Sequence, residues 1–168
     1  DANTERVLNR DVEKAKALLE EAGYDGTPVV LSNHRWEHDK GPEELLEIVT
    51  GLIERDVDFT MAMCGEVFVS VPEAFDAVVD RLGDRLVHRG WTDAHGYREL
   101  LLGSSVVLST ALQEFFGISV VEGIAAGARP ILPDRLVYPE RMDDLGAAPA
   151  PVLYRSPTEA VSLIEAAI

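Results

Sequence analysis

One cysteine, Cys64, in 168 residues excludes an internal disulfide and a thiolate zinc cluster. Lysine is almost missing: Lys14, Lys16 and Lys40 are the only lysines among 15 basic residues, against 30 acidic ones and a formal net charge of −15. That balance excludes the basic stripe that gripping a nucleic-acid backbone demands. Long apolar runs are absent too. None approaches the roughly 20 residues of a membrane span, and nothing resembles a signal peptide, so a soluble, cytoplasmic protein with no membrane segment is expected. Two readings of the charge stay open. Acid-rich, lysine-poor composition suits a halophile, because at about 1 M salt the Debye length falls to roughly 3 Å and self-repulsion is screened. The other reading is an acidic protein from an arginine-favouring genome.

What is present is 46% hydrophobic content, enough for one domain with a core. Residues 1–26 read as a polar lead-in and a first helix, and 27–168 as an alternating core. Short apolar runs at 27–33, 57–65, 84–90, 105–110, 128–133 and 150–155 read as strands. Segments with helical spacing fall between and after them, at 41–56, 71–83, 92–103, 116–127 and 156–168. Continuous apolar strands alternating with helices predict an α/β fold, a parallel sheet with helices on both faces. In such sheets ligands bind in the loops beyond the carboxyl ends of the strands. Those loops are NHRWEHDKGP, CGEVF, GW, TALQEFFG and PDRLVYPE.

The loop NHRWEHDKGP holds two cations, Arg35 and Lys40. A guanidinium fork and an ammonium flanking a strand-to-helix turn suit a diphosphate. The helix opening at Gly41–Pro42 adds its positive end. The competing reading is a solvated loop in which Glu37 and Asp39 pair with those cations for less than about 1 kcal/mol each. In QEFFGISVVEG, Gly117 admits close approach to a helix start whose free N–H groups hold anionic oxygens. Glu114 faces that spot and suits hydroxyls rather than phosphates. Glu122, among Ile118, Val120, Val121, Ile124 and Ala125, needs a partner or a cleft, and ribose hydroxyls would serve. An ordinary surface glutamate is the other reading.

No metal is expected: His34 and His38 lie in a loop without a third ligand. His88 and His95 read as structural or solvated. Trp36 and Trp91 could stack on a base but more often pack. Cys64 reads as a buried thiol, and Ser109–Thr110 lack the partners of a hydrolytic triad.

The stretch EFFGISVVEGIAAGARPIL resembles the donor-binding signature of retaining glycosyltransferases of the two-Rossmann (GT-B) type, family 4. In that pattern two glutamates sit eight apart and are followed by a glycine before a proline-containing strand. Glu114, Glu122, Gly127 and Pro130 match it. The resemblance covers residues 28–168 and implies a Rossmann-like fold, the C-terminal half of such an enzyme, with the N-terminal acceptor domain absent. NHRWEHDKGPEE, CGEVF, LSTALQEFFGISVVEGIAAGARPILP and RLVYPE look like the tRNA-queuosine mannosyltransferase group. This implies a nucleotide sugar, GDP-mannose, as donor, with no cofactor and no obligatory metal; tRNA would be reached through the missing half. Arg35 and Lys40 would neutralise the leaving diphosphate. Amides from Phe116 to Ile118 would approach the diphosphate or sugar; Glu114 would hold sugar hydroxyls and act in catalysis, and Glu122 would hold the ribose. Family members usually carry a Gly-Gly turn before Pro-Glu after the fifth strand, where this chain has DRLVYPE, which leaves the contacts of Leu136 to Tyr138 open. The resemblance implies a fragment inactive alone. Within the same class, a retaining glycosyltransferase using another nucleotide sugar and a small or lipid acceptor is the alternative. A non-catalytic nucleotide-binding module and a sugar-nucleotide epimerase are the alternatives from other classes.

Overall fold

The structure, a computed structural model, describes residues 26–67, 71–144 and 152–168. The helix expected before residue 26, Phe68 of the CGEVF loop, and the start of the strand expected from 150 lie outside the described residues.

The elements run β1 (Val29–Ser32), α1 (Pro42–Glu54), β2 (Thr60–Cys64), α2 (Glu73–Leu82), β3 (Leu86–Gly90), α3 (Ala94–Gly103), β4 (Val106–Leu108), α4 (Ile118–Ala125), β5 (Arg129–Pro133), α5 (Tyr138–Asp144), β6 (Leu153–Tyr154) and α6 (Pro157–Glu165). All six strands pair in parallel, in the order β3-β2-β1-β4-β5-β6. The chain winds outward from β1 in one direction and from β4 in the other. The crevice between their carboxyl ends is therefore the topological switch point, where this class of sheet binds ligands.

Strand pleating divides the core. Val30, Met61, Met63, Val106 and Leu108 face a layer formed by α1, α2 and α6. Their neighbours Val29, Leu31, Ala62 and Cys64 face Leu100 of α3, and Val107 faces Val120 of α4 and Tyr138 and Met142 of α5. Burying side chains on both faces is what makes these strands read as unbroken apolar runs. Each fully buried Leu, Ile or Met contributes roughly 2 kcal/mol.

Local chemistry sets the helix starts. Asp93 caps α3, accepting from the Gly96 N–H at 2.8 Å. Ser156 caps α6, accepting from the Glu159 N–H at 3.2 Å. Gly41 starts α1 in the left-handed region, φ 62°, where a Cβ would overlap the Thr110 carbonyl oxygen. Only glycine lets β4 and the start of α1 approach so closely, and this contact draws the two switch-point loops together.

One expectation needs correction: the stretch after β5, read as a loop, contains α5. Its inward residues Tyr138 and Met142 are four apart and both buried, which is the spacing of one helical face.

Candidate functional site

The loop after β1 is fixed from inside the protein. Trp36 is 1% exposed and stacks on Phe75 with ring centroids 5.2 Å apart, so it packs rather than meeting a ligand. Its neighbours Arg35 and Glu37 are turned outward. The loop closes with a 3-10 turn, His38–Lys40, which delivers Lys40 into the switch-point crevice.

Lys40 is buried, and its ammonium lies 3.1 Å from Asp39, 3.4 Å from Glu114 Oε2 and 2.9 Å from the Gln113 carbonyl. Both ion pairs of the solvated-loop reading exist, Arg35–Glu37 and Lys40–Asp39, each at 3.1 Å. Burial separates them. The Arg35 side chain is 52% exposed, whereas that of Lys40 is 9% exposed. An exposed pair is worth under about 1 kcal/mol and is readily exchanged for another anion. A buried ammonium must be held by several acceptors, as this one is.

Glu114 caps its own loop. Its Oε1 accepts from the N–H groups of Phe115, Phe116 and Gly117 at 3.0, 3.2 and 3.0 Å. Gly117 begins α4 with φ 75°, a left-handed conformation that glycine adopts without strain and that leads the chain from these amides into the helix. Partial burial works to raise the carboxyl's pKa, but the Gly117 and Phe116 amides and Lys40 outweigh it and hold it below the usual range. The amides expected to meet a ligand are therefore reassigned: Phe116 and Gly117 serve Glu114. Ile118, Ser119 and Val120, the first turn of α4, present the N–H groups that no intrahelical carbonyl reaches. Among the described residues Oε2 has Lys40 beside it and keeps lone pairs for hydroxyl donors.

Glu122 does not sit in the apolar surroundings that its sequence neighbours imply. It is exposed and accepts from the Tyr97 hydroxyl at 2.7 Å. Tyr97 in turn accepts from Asn33 Nδ2 at 3.1 Å, and the same amide group donates to the Ser119 carbonyl at 2.8 Å. Desolvation, then the hydrogen bond to Glu122, raises the Tyr97 pKa well above the ordinary tyrosine value, so the hydroxyl stays a donor.

His34 joins the two halves of the site. Its Nδ1 lies 3.4 Å from Ser119 Oγ, and burial first, then Lys40, lowers its pKa to about 4. The ring is neutral at physiological pH. His34 Nε2 and Asn33 Oδ1 are buried polar atoms with no hydrogen-bond partner among the described residues, as expected of groups set beside a ligand site. Both escaped the sequence reading as site residues; their signal was position, directly after β1.

Beside this chain of contacts opens a cleft of about 430 Å³, walled by Asn33, His34, Arg35, Gly65, Trp91 and Tyr97. Trp91 is 70% exposed at its edge, placed to stack on a planar group. Among the described residues there is no cluster of three or more His, Cys, Asp or Glu able to hold a metal, and no helix long and apolar enough to cross a membrane. His88 Nε2 contacts the Gly90 carbonyl, and exposed His95 pairs with Glu99. Cys64 is buried, and burial raises its thiol pKa.

The arrangement offers cations, free helix-start amides, a carboxylate with spare acceptors and an aromatic-edged cleft, all in the loops beyond the carboxyl ends of the strands. Comparison with known proteins adds the following. The family model for glycosyl transferases group 1 matches residues 14–146. Over 107 residues the chain is 44% identical to the tRNA-queuosine alpha-mannosyltransferase of Drosophila melanogaster, covering 64% of this chain and 28% of that protein. The chain thus spans under a third of that relative's length. Anabaena HepE in complex with UDP and glucose superposes with a TM-score of 0.71 at 16% identity, over 94% of this chain and 42% of that one. WaaG, a glycosyltransferase involved in lipopolysaccharide biosynthesis, gives a TM-score of 0.71 at 18% identity, over 91% and 41%. At such identities the likeness is one of fold.

Proposed function

The chain belongs to the glycosyl transferases group 1 family, and from that premise we propose that it forms the donor-binding part of a retaining, family 4 glycosyltransferase. The transferred group in this reading is mannose from GDP-mannose, and the acceptor is queuosine in tRNA. The observation that carries the donor site is the burial of the Lys40 ammonium against Glu114 at the switch point. The identity with the fly protein supports the choice of sugar and acceptor.

In this reading the diphosphate lies between Arg35, Lys40 and the first turn of α4. Arg35 exchanges an exposed pair with Glu37 for the diphosphate at a cost under about 1 kcal/mol. As the bond from the anomeric carbon to the phosphate breaks, negative charge grows on the leaving group. Each preorganised donor to it contributes roughly 3 kcal/mol to the transition state. Glu114 Oε2 accepts sugar hydroxyls and faces the cationic sugar, while Glu122 accepts from the ribose with Tyr97 fixing its rotamer. The base occupies the cleft against Trp91. A chain of net charge −15 leaves tRNA contacts to the acceptor-binding half of the enzyme. No metal is required.

Calorimetric titration with GDP, UDP and ADP tests the donor assignment. GDP should bind tightest, and Lys40→Ala and Arg35→Ala should each weaken it by about tenfold or more. Equal binding of all three, or none, rejects the GDP-mannose reading. Saturable binding without sugar transfer by the enzyme that includes the acceptor half would identify a nucleotide-binding module instead.

A further inference from the structure

The loop that carries Glu114 is held on one side by the β1 loop. Thr110 Oγ1 donates to the Lys40 carbonyl at 2.7 Å, and the Leu112 and Gln113 N–H groups donate to the Asp39 carbonyl at 2.8 and 3.1 Å. What holds the other side is a residue outside the donor site. Arg135 Nε donates to the Ala111 carbonyl at 3.0 Å, and its Nη2 donates to the Thr110 carbonyl at 3.0 Å and to Glu44 Oε2 at 2.9 Å. The Tyr154 hydroxyl lies 2.8 Å from the Ser109 carbonyl and 2.7 Å from Glu44 Oε1, sharing its one proton between them. Three consecutive carbonyls, Ser109 to Ala111, are therefore met by two side chains that converge on one carboxylate, on α1.

The backbone beside Arg135 accepts strain. Leu136 adopts φ 60°, a left-handed conformation that costs a residue with a Cβ about 1–2 kcal/mol. Such outliers persist only where surrounding contacts over-determine them. Here the sharp turn after β5 brings Arg135 back across the end of β4.

We propose that Arg135 is a positioning residue of the transfer reaction: its guanidinium, steadied by Glu44 and Tyr154, sets the loop 109–117 so that Glu114 and the start of α4 meet the donor in productive geometry. The proposal rests on the transferase reading given above. It assigns Arg135 no contact with the donor. A fork is needed for this task, since one ammonium has no planar pair of donors to match two adjacent carbonyls.

The test uses the full-length enzyme carrying Arg135→Lys, Arg135→Gln or Glu44→Gln, with GDP-mannose as donor. Arg135→Lys keeps the charge opposite Glu44 but loses the fork. It should lower kcat by about 100-fold, the scale of a misplacement near 1 Å, with donor KM changed by less than about threefold. Amide exchange over residues 112–117 should accelerate by about tenfold, with the rest of the sheet unchanged. If Arg135→Lys restores wild-type kcat and exchange while Arg135→Gln only lowers the melting temperature, the residue is a charge partner for Glu44 and the proposal is wrong. A wild-type enzyme that binds no nucleoside diphosphate would reject the transferase reading instead. The accelerated loop exchange in Arg135→Lys would still be expected then, and its absence would count against the brace on its own.

Discussion

Replacing Glu114 by glutamine changes one side-chain oxygen to an NH₂ group and removes one charge. In the best rotamer the remaining oxygen still accepts from the amides of Phe115, Phe116 and Gly117, now as neutral hydrogen bonds. The new NH₂ then faces the Lys40 ammonium across the 3.4 Å gap, donor against donor. Lys40 keeps Asp39 at 3.1 Å, so it is not left wholly unpaired. Side-chain exposures of 9% and 18% put the lost pair nearer the buried than the surface case. Neutralising the acceptor of three amides and removing that pair should together cost about 2 kcal/mol at pH 7. The pH dependence has a definite sign. The carboxyl's pKa is depressed below its unfolded value of 4.5, so its contribution is complete above about 4.5 and is lost as pH falls through the lower folded value. Urea denaturation of both proteins between pH 7 and pH 3.5 measures the difference directly, because titrations elsewhere cancel. The gap should hold level from pH 7 to pH 5 and close below. Raising salt to about 1 M should leave most of it intact, unlike an exposed pair such as Arg155–Asp134. A difference under about 0.5 kcal/mol at pH 7, or one independent of pH, would refute the role given to this carboxylate in the loop.

Three further outcomes are expected. Lys40→Met leaves Asp39 and Glu114 facing each other without a cation and should destabilise the fold by about 3 kcal/mol at pH 7; part should return at pH 4, and denaturation at both values checks it. Gly41→Ala combines left-handed strain with overlap on the Thr110 carbonyl and should cost at least about 3 kcal/mol; a melting temperature within a degree or two of wild type would contradict the packing described. Tyr97→Phe frees Glu122 and removes one partner of Asn33. It should lower stability by about 1 kcal/mol and weaken nucleoside diphosphate binding several-fold, read by calorimetry.

The sheet was legible because strands buried on both faces cannot alternate: VVLS, TMAMC and VVL carry apolar side chains to two layers at once. Lys40 was legible as one of two cations in a strand-to-helix turn, but its burial was not, because that depends on Gly41 letting β4 close over the turn. The α4 helix misled. It is apolar on most sides, with Ile118 exposed and only Val120 and Gly123 buried within it, so no pattern told which way Glu122 points. Helix α5 was hidden by its shortness and by having only Tyr138 and Met142 to mark an inward face. The hold of Glu114 on its own amides depends on the turn of residues 114–117, whose backbone torsions no spacing rule reports. Asn33, Tyr97 and Arg135 were out of reach for a simpler reason. Their partners lie 24 to 91 residues away in the chain, and only the folded topology brings them together.

Trp36 moors the cation-bearing loop to the hydrophobic interior, one residue from Arg35 and four from Lys40. In the donor site proposed here, grip on an anion at the rim and solidity at the centre are consequently one property. On the proposed reading, a cavity opened at Phe75, beneath Trp36, would slacken the mooring and surface as weakened nucleotide affinity. Reshaping the rim by engineering would in the same way begin beneath it, with the aromatic stack.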